Sequence, residues 1–368
     1  MNFQLTEEQR AIVEMAVSVF ADFCTDEQIQ RFWSGDAAYD EPLWQQLRES
    51  GLTALILPED LGGSALGMIE LCAVLESQGR HLAPAPLWSH QLALAAVARF
   101  AGEASRRSNG PALADSTQLA TLSLEGLHGG RGLQLHADGA AEGWQLRGRA
   151  VAVPLAAQSA LALLPAATAE GVRLFVVDLA QPGIGKITGR LTHHEPAADL
   201  VFTGLSLPAG AALAPEALSW VAPRVAACFG ALQLGVVEEA LKRAVAYTSE
   251  RVQFGQPIAA FQAISQKCAD CLIDVEALRS SLWQLVWRLD SGLAAEGSAG
   301  VVRAWTCDAG YRVTHAAQHM HGGIGVDISY PIHRYTCWSR ALEIACGGVS
   351  GSLADLGTWL ISAALEEA

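Results

Sequence analysis

Apolar residues recur at helical spacing from the start of the chain. Ile12, Ala16 and Phe20 fall on one face, Thr6 with Gln9 forms a capping box, and Glu7 and Glu8 occupy the first turn. The pattern predicts a second helical stretch up to the turn cluster LPEDLGG, Leu57 to Gly63, then a helix over about Met68 to Gln78 that stops at Gly79. From about Ala120 the period shortens: LQLHADGAAEGWQLRGRAVAV alternates, with turns at Asp138-Gly139 and Glu142-Gly143, and GVRLFVVDL and DLVFTGLSL are short apolar runs between turn residues. This section, to about Pro208, predicts a small antiparallel β domain. Helical periods return after Ala214, near Val225 to Arg251, Phe261 to Leu289, Ala299 to His321, Ile332 to Ala345 and Ser352 to Glu366, with Gly322-Gly323 and Gly347-Gly348 as stops. The expected class is α+β in three domains: helical over 1–118, β over 119–213 and a four-helix-type bundle over 214–368.

Composition adds an expectation about assembly. Hydrophobic residues make up 51% of the 368 positions, which predicts burial against another subunit as well as inside the chain. A net charge of -14 opposes a polyanion laid along the surface, so nucleic acid is not an expected partner. The first twenty residues lack a basic segment and space their apolar positions like a helix, so no signal peptide is expected. The most apolar run, LAAQSALALLPAATA, is too short and interrupted to span a bilayer, so no membrane association is expected. Eight cysteines at no framework spacing suit a reducing cytoplasm. Cys268 and Cys271 form a C-x-x-C, but inside a helical pattern and without a second pair, which favours packing over metal or redox use.

Three stretches carry candidate chemistry. In SERVQFGQPI, Ser249 to Ile258, a helix ends in an Arg followed by an aromatic, a Gly and a Pro: a phosphate donor, a stacking face and permissive backbone, or else an ordinary helix terminus. In QHMHGGIG, Gln318 to Gly325, two adjacent glycines let a ligand approach the backbone; no strand precedes them, so this is not a dinucleotide fingerprint. His319 and His321 point to different faces of a helix and have no third ligand nearby, which argues against zinc. In ACGGVSGS, Ala345 to Ser352, Cys346 is the one reactive side chain among small residues.

Together with LTEEQ at the start, LPEDLGG and ESQGRHLAPAPL in the first domain and HMHGGIGVDISYPIHR in the last, this order resembles the acyl-CoA dehydrogenase family along the whole chain, most strongly at its two ends. The resemblance implies FAD held between two subunits, the flavin on one chain's β domain and its adenosine and pyrophosphate end on the neighbour's Arg-x-x-Phe-Gly segment and Gly-Gly turn. By position those donors are Arg251, Gln253, Phe254, Gln262, Gly322 and Gly323, with His319 where the family usually has Gln. It further implies loss of a proton α to a thioester and of a hydride β to it. The proton step needs a carboxylate whose pKa an apolar slot raises.

The family's usual base is the Glu of an aromatic-Glu-Gly-Thr turn, and counting forward from Gly322-Gly323 puts Cys346 there; the alternative placement, near Val225, holds no carboxylate either. A thiol takes an α proton poorly at neutral pH unless a cation or helix start lowers its pKa, and only Arg340 is close in sequence. Glu343 projects about a helical turn away. In the β domain, Ser123 to Gly130 and Arg149 to Leu155 replace the family's flavin-contacting segments, without the hydroxyls and with Pro154 lacking a backbone donor. The resemblance therefore implies a non-catalytic subunit that lends half an FAD site to a homologous catalytic subunit, two of each per heterotetramer. The expected substrate is an acyl-CoA, steroid-derived by analogy with the β chains of such enzymes, and the expected electron acceptor an electron-transfer flavoprotein. The alternatives are a self-sufficient homomeric dehydrogenase with a displaced base such as Glu343, a flavin monooxygenase of the same fold, for which a polar pocket is expected and none is evident in the sequence, and a purely structural dimer.

Overall fold

The computed structural model describes residues 4–102, 115–140 and 143–366; Glu142, expected in a turn, lies outside them. Helices α1 (Glu7–Phe23), α2 (Asp26–Ser34), α3 (Glu41–Glu49), α4 (Met68–His81) and α5 (Leu87–Phe100) precede strands β1 (Leu119–Leu122), β2 (Leu135–Ala140), β3 (Gly143–Pro154), β4 (Ser159–Thr168), β5 (Gly171–Asp178), β6 (Ile184–Arg190) and β7 (Pro196–Pro208). Helices α6 (Ala217–Glu250), α7 (Gln262–Asp290), α8 (Glu296–His321), α9 (Ile332–Ala345) and α10 (Gly348–Glu366) follow. Two compact units result: Met1–Asp36, Cys72–Ala83 and Ala226–Ala368 form the first, Ala37–Leu71 and Pro84–Val225 the second.

In the first unit the expected capping box is present. Thr6 Oγ1 accepts from the Gln9 backbone N–H at 3.2 Å and Gln9 Oε1 from that of Thr6 at 2.9 Å. Helix α4, however, runs two residues past Gly79, the expected stop. That glycine serves a helix crossing: a Cβ on it would lie 2.0 Å from the Leu232 carbonyl oxygen on α6, and one on Gly235 would lie 1.9 Å from the Glu76 carbonyl oxygen on α4. With both side chains missing the two backbones touch. Charged residues clamp the crossing, Arg279 reaching Glu238 at 2.8 Å and Glu76 at 3.3 Å while Arg80 pairs with the same two acids.

Helix α6 begins at Ala217, eight residues before the expected start, and passes through Pro223. Ala217 and Val221 are fully buried, and that burial outweighs one missing backbone donor. Helix α8 ends at Gly322, φ 64°, and α9 just before Gly347, φ 89°, as expected, whereas Gly348, φ 78°, opens α10 four residues before its expected start at Ser352. By length and apolar composition α6 and the stretch Ile332–Leu365 match a membrane span, unlike the run singled out from the sequence, which forms β4; 83% of the apolar window of α6 is buried in protein, and the second stretch is broken at Gly347.

The second unit carries the sheet, ordered β1-β4-β2-β3-β7-β6 with β5 on β4. It is antiparallel except at β4, which lies parallel to β1 and β2, a departure from the all-antiparallel expectation. The hairpin β2–β3 intervenes between β1 and β4, so the chain returns by a crossover, and crossovers leave strands parallel. Leu146, Leu164, Phe175, Leu200 and Phe202 fill the core, with Trp144 edge-on to Phe175 at 5.3 Å.

Helix α5 of this unit buries His90 completely. Its Nδ1 accepts from the Ala120 N–H at 3.1 Å, so Nε2 carries the proton and donates to Ser116 Oγ at 3.0 Å. Burial lowers its pKa to about 3. Below the ordinary value of about 6.5 the unfolded chain binds a proton that the folded chain refuses, so stability falls with pH, by about 2 kcal/mol between pH 6.5 and 5. Urea unfolding of His90→Gln is expected to show a flatter acid limb than wild type; equal slopes would contradict the assignment.

Candidate functional site

One end of the helical unit gathers the residues expected to lend a cofactor site. Tyr247, in the last turn of α6, stacks on His321, the last residue of α8, at 4.5 Å and 22°. Cys268 Sγ of α7 lies 3.5 Å from Met320 Sδ of α8. These contacts bring the end of α6, the start of α7 and the Gly322-Gly323 turn together. Past α6, strands β8 (Val252–Gln253) and β9 (Gln256–Pro257) form a hairpin whose turn residues Phe254 and Gly255 both have positive φ, 52° and 83°. Such a turn suits its glycine and strains its phenylalanine, at a cost of roughly 1–2 kcal/mol. The strained side chain is 94% exposed and meets the Phe261 ring edge-on at 6.3 Å.

Arg251, Gln253, Phe254, Gln262, His319, Gly322 and Gly323 are all exposed at this end. Gln253 donates to its own neighbour, the Val252 carbonyl, at 2.7 Å. Among the described residues Arg251, Gln262 and His319 make no side-chain hydrogen bond or ion pair. No atom lies within 4 Å of a Cβ built on Gly322 or Gly323. Free cationic and amide donors, an open glycine turn and an outward aromatic fit a phosphate-bearing aromatic ligand such as the adenosine end of FAD.

Cys346 lies elsewhere in the unit. It is buried, its thiol hydrogen-bonded with that of Cys307 on α8. Cys307 is fourteen residues before His321, about 21 Å along the helix at 1.5 Å per residue. Ser352 Oγ donates to the Cys346 carbonyl at 3.1 Å. The hydrogen bond that the Cys346 thiol donates to Cys307, then burial, pushes Cys346 well above the ordinary cysteine range, and the same bond lowers Cys307. The nearby cation is Arg303, already paired with Asp355 at 3.1 Å, whereas Arg340, the one expected from sequence, pairs with Glu343. The sequence carried no sign of Cys307 as a partner, because no spacing rule links positions 39 apart.

In the β domain Ser123 Oγ accepts from the Glu125 N–H at 3.2 Å and Thr121 Oγ1 donates to the Pro154 carbonyl at 2.6 Å. Both hydroxyls are engaged within the chain. A cavity of about 260 Å³ opens there, with Leu133, Leu135, Val151 and Leu164 on its wall beside Arg131 and Arg149. Its arginines are paired, Arg131 with Glu125 and Arg149 with Asp199. Among the described residues no His, Cys, Asp and Glu cluster could hold a metal ion.

Residues 6–117 match the family model for the acyl-CoA dehydrogenase N-terminal domain, and residues 210–354 that for the C-terminal domain. The acyl-CoA dehydrogenase FadE27 of Mycobacterium tuberculosis is 31% identical over 367 residues, covering 97% of this chain and 98% of its own length. Among solved structures, the ChsE4-ChsE5 complex from Mycobacterium tuberculosis superposes at TM-score 0.92 with 31% identity, and the steroid enzyme Tcur3481-Tcur3483 at 0.91 with 35%. Each covers 98% of this chain and 99% of its own.

Proposed function

The chain belongs to the acyl-CoA dehydrogenase family, and we propose that within it the chain is the non-catalytic subunit of a heteromeric FAD enzyme. The observation that carries this reading is that Cys346, which counting from the glycine turn puts at the family's base position, is buried, while Arg251, Gln262 and His319 stand exposed with no side-chain bond among the described residues. The similarity to a two-component complex and to a steroid enzyme supports an assembly of two copies each of two chains, acting on a steroid-derived acyl-CoA. An electron-transfer flavoprotein as acceptor and a cytoplasmic location complete the proposal.

FAD, when bound, accepts the hydride lost from the β carbon of the thioester. The part of this chain is to hold and orient. Arg251 sets a guanidinium against a phosphate, Gln253 and Gln262 offer amides, the Gly322-Gly323 backbone admits close approach, and Phe254 gives an apolar face. The Cys346 thiol keeps its own proton at neutral pH, so the α proton passes to a carboxylate of the partner. Glu343, the candidate displaced base, is engaged by Arg340.

The test is to purify the chain alone and co-expressed with homologous acyl-CoA dehydrogenase chains of the same organism, then to measure flavin content and acyl-CoA oxidation. The solitary chain is expected to be nearly colourless and inactive, the complex yellow and active. Full flavin occupancy and turnover by the solitary chain would show a self-sufficient enzyme instead.

A further inference from the structure

A second cavity, of about 180 Å³, opens in the helical unit between α2, α4, α6 and α9. Its wall includes Asp26, Arg80, Glu239, Arg243, Arg334 and Tyr335. Four cationic side chains, the three arginines and Lys242, face two carboxylates. Each carboxylate is committed: Arg243 reaches Asp26 at 2.8 Å and Glu239 at 3.0 Å. Arg80 is satisfied outside the cavity by Glu76 and Glu238, and Lys242 is largely in solvent.

Arg334 is left over. It is 2% exposed, and among the described residues its side chain makes a single hydrogen bond, Nη1 donating to the Asp26 backbone carbonyl at 2.9 Å, with no ion pair. A guanidinium has five N–H donors, and a buried one without a counter-ion is costly. Burial pulls its pKa down further than the nearby charge of Asp26, which Arg243 already engages, holds it up. His81 on the same wall is shifted by burial towards its neutral form, and Tyr335 already donates its hydroxyl to the Arg80 carbonyl at 3.3 Å.

We propose that this cavity binds a phosphate-sized oxyanion, held between the Arg334 and Arg243 guanidinium groups. The volume sets the class: an engineered cavity of about 150 Å³ admits benzene, while whole drug-sized ligands need about 300 Å³ or more. A phosphate group fits; a nucleotide does not, except by inserting its terminal phosphate. The site is separate from the exposed hairpin and glycine turn and does not depend on the subunit role of the chain.

Calorimetric titration of the full chain at fixed ionic strength tests this with two probes, orthophosphate and adenosine 3′-monophosphate. A saturable site that weakens at least tenfold in Arg334→Gln is expected, a charge-assisted bond being worth about 1.5–3 kcal/mol. Binding of orthophosphate identifies the free ion as the occupant; binding of the nucleotide alone identifies a phosphomonoester. No saturable binding of either, or equal affinity in the variant, overturns the proposal. Should the variant fail to fold, diffraction from wild-type crystals soaked in selenate decides: an anomalous peak within hydrogen-bond distance of Arg334 upholds the site, and its absence overturns it.

Discussion

In the assembled enzyme, Arg251→Ala is expected to raise the dissociation constant for FAD roughly 10- to 150-fold, the loss of a charge-assisted hydrogen bond worth about 1.5–3 kcal/mol. The side chain is exposed and has no side-chain partner among the described residues, so its removal should leave the melting temperature of the apoprotein where it was. Weakened flavin retention with unchanged apoprotein stability separates a ligand-facing role from a structural one. Equal retention in variant and wild type would mean that the hairpin does not hold the cofactor.

The second large effect concerns the helix crossing. Gly235→Ala should destabilise the protein by about 3 kcal/mol and lower Tm by about 4 °C. The new methyl carbon would stand 1.9 Å from the Glu76 carbonyl oxygen and 2.6 Å from the Arg80 nitrogen, both backbone atoms that no rotamer change can clear. The sign is informative. Helix propensity alone predicts a gain of about 1 kcal/mol for alanine over glycine inside a helix, so a rise in Tm would remove the crossing from the account. Gly79→Ala strikes the same contact from α4, and the double variant should lose less than the two singles together.

Periodicity and caps located the elements because they are local properties. The capping box at Thr6, the bundle helices and the glycine stops at Gly322 and Gly347 all depend on neighbours a few residues away. Gly79 looked like a stop for the same reason: nothing within four residues of it discloses α6. The parallel placement of β4 and the pairing of Cys346 with Cys307 share that cause, since each is fixed by chain segments tens of residues apart. The anion cavity is the extreme case, its cations coming from positions 80, 242, 243 and 334.

The motif stretches were legible as patterns, and the structure adds their state. Counting from the glycine turn locates Cys346, whereas burial and the bond it donates to Cys307 make it a thiol that holds its proton. Phe254 reads as a stacking face; its positive φ and exposure add that the chain bears strain there while leaving most of the ring in solvent.

The most direct measurement is exchange of the substrate's α hydrogen with deuterium from solvent, followed for the complex, for the complex carrying Cys346→Ala, and for the solitary chain supplied with FAD. The account predicts exchange by the complex, a rate within about twofold in the variant where loss of a general base costs at least about a hundredfold, and none by the solitary chain. Exchange catalysed by the solitary chain, or its collapse on removal of the thiol, would place proton abstraction in this polypeptide and contradict the account.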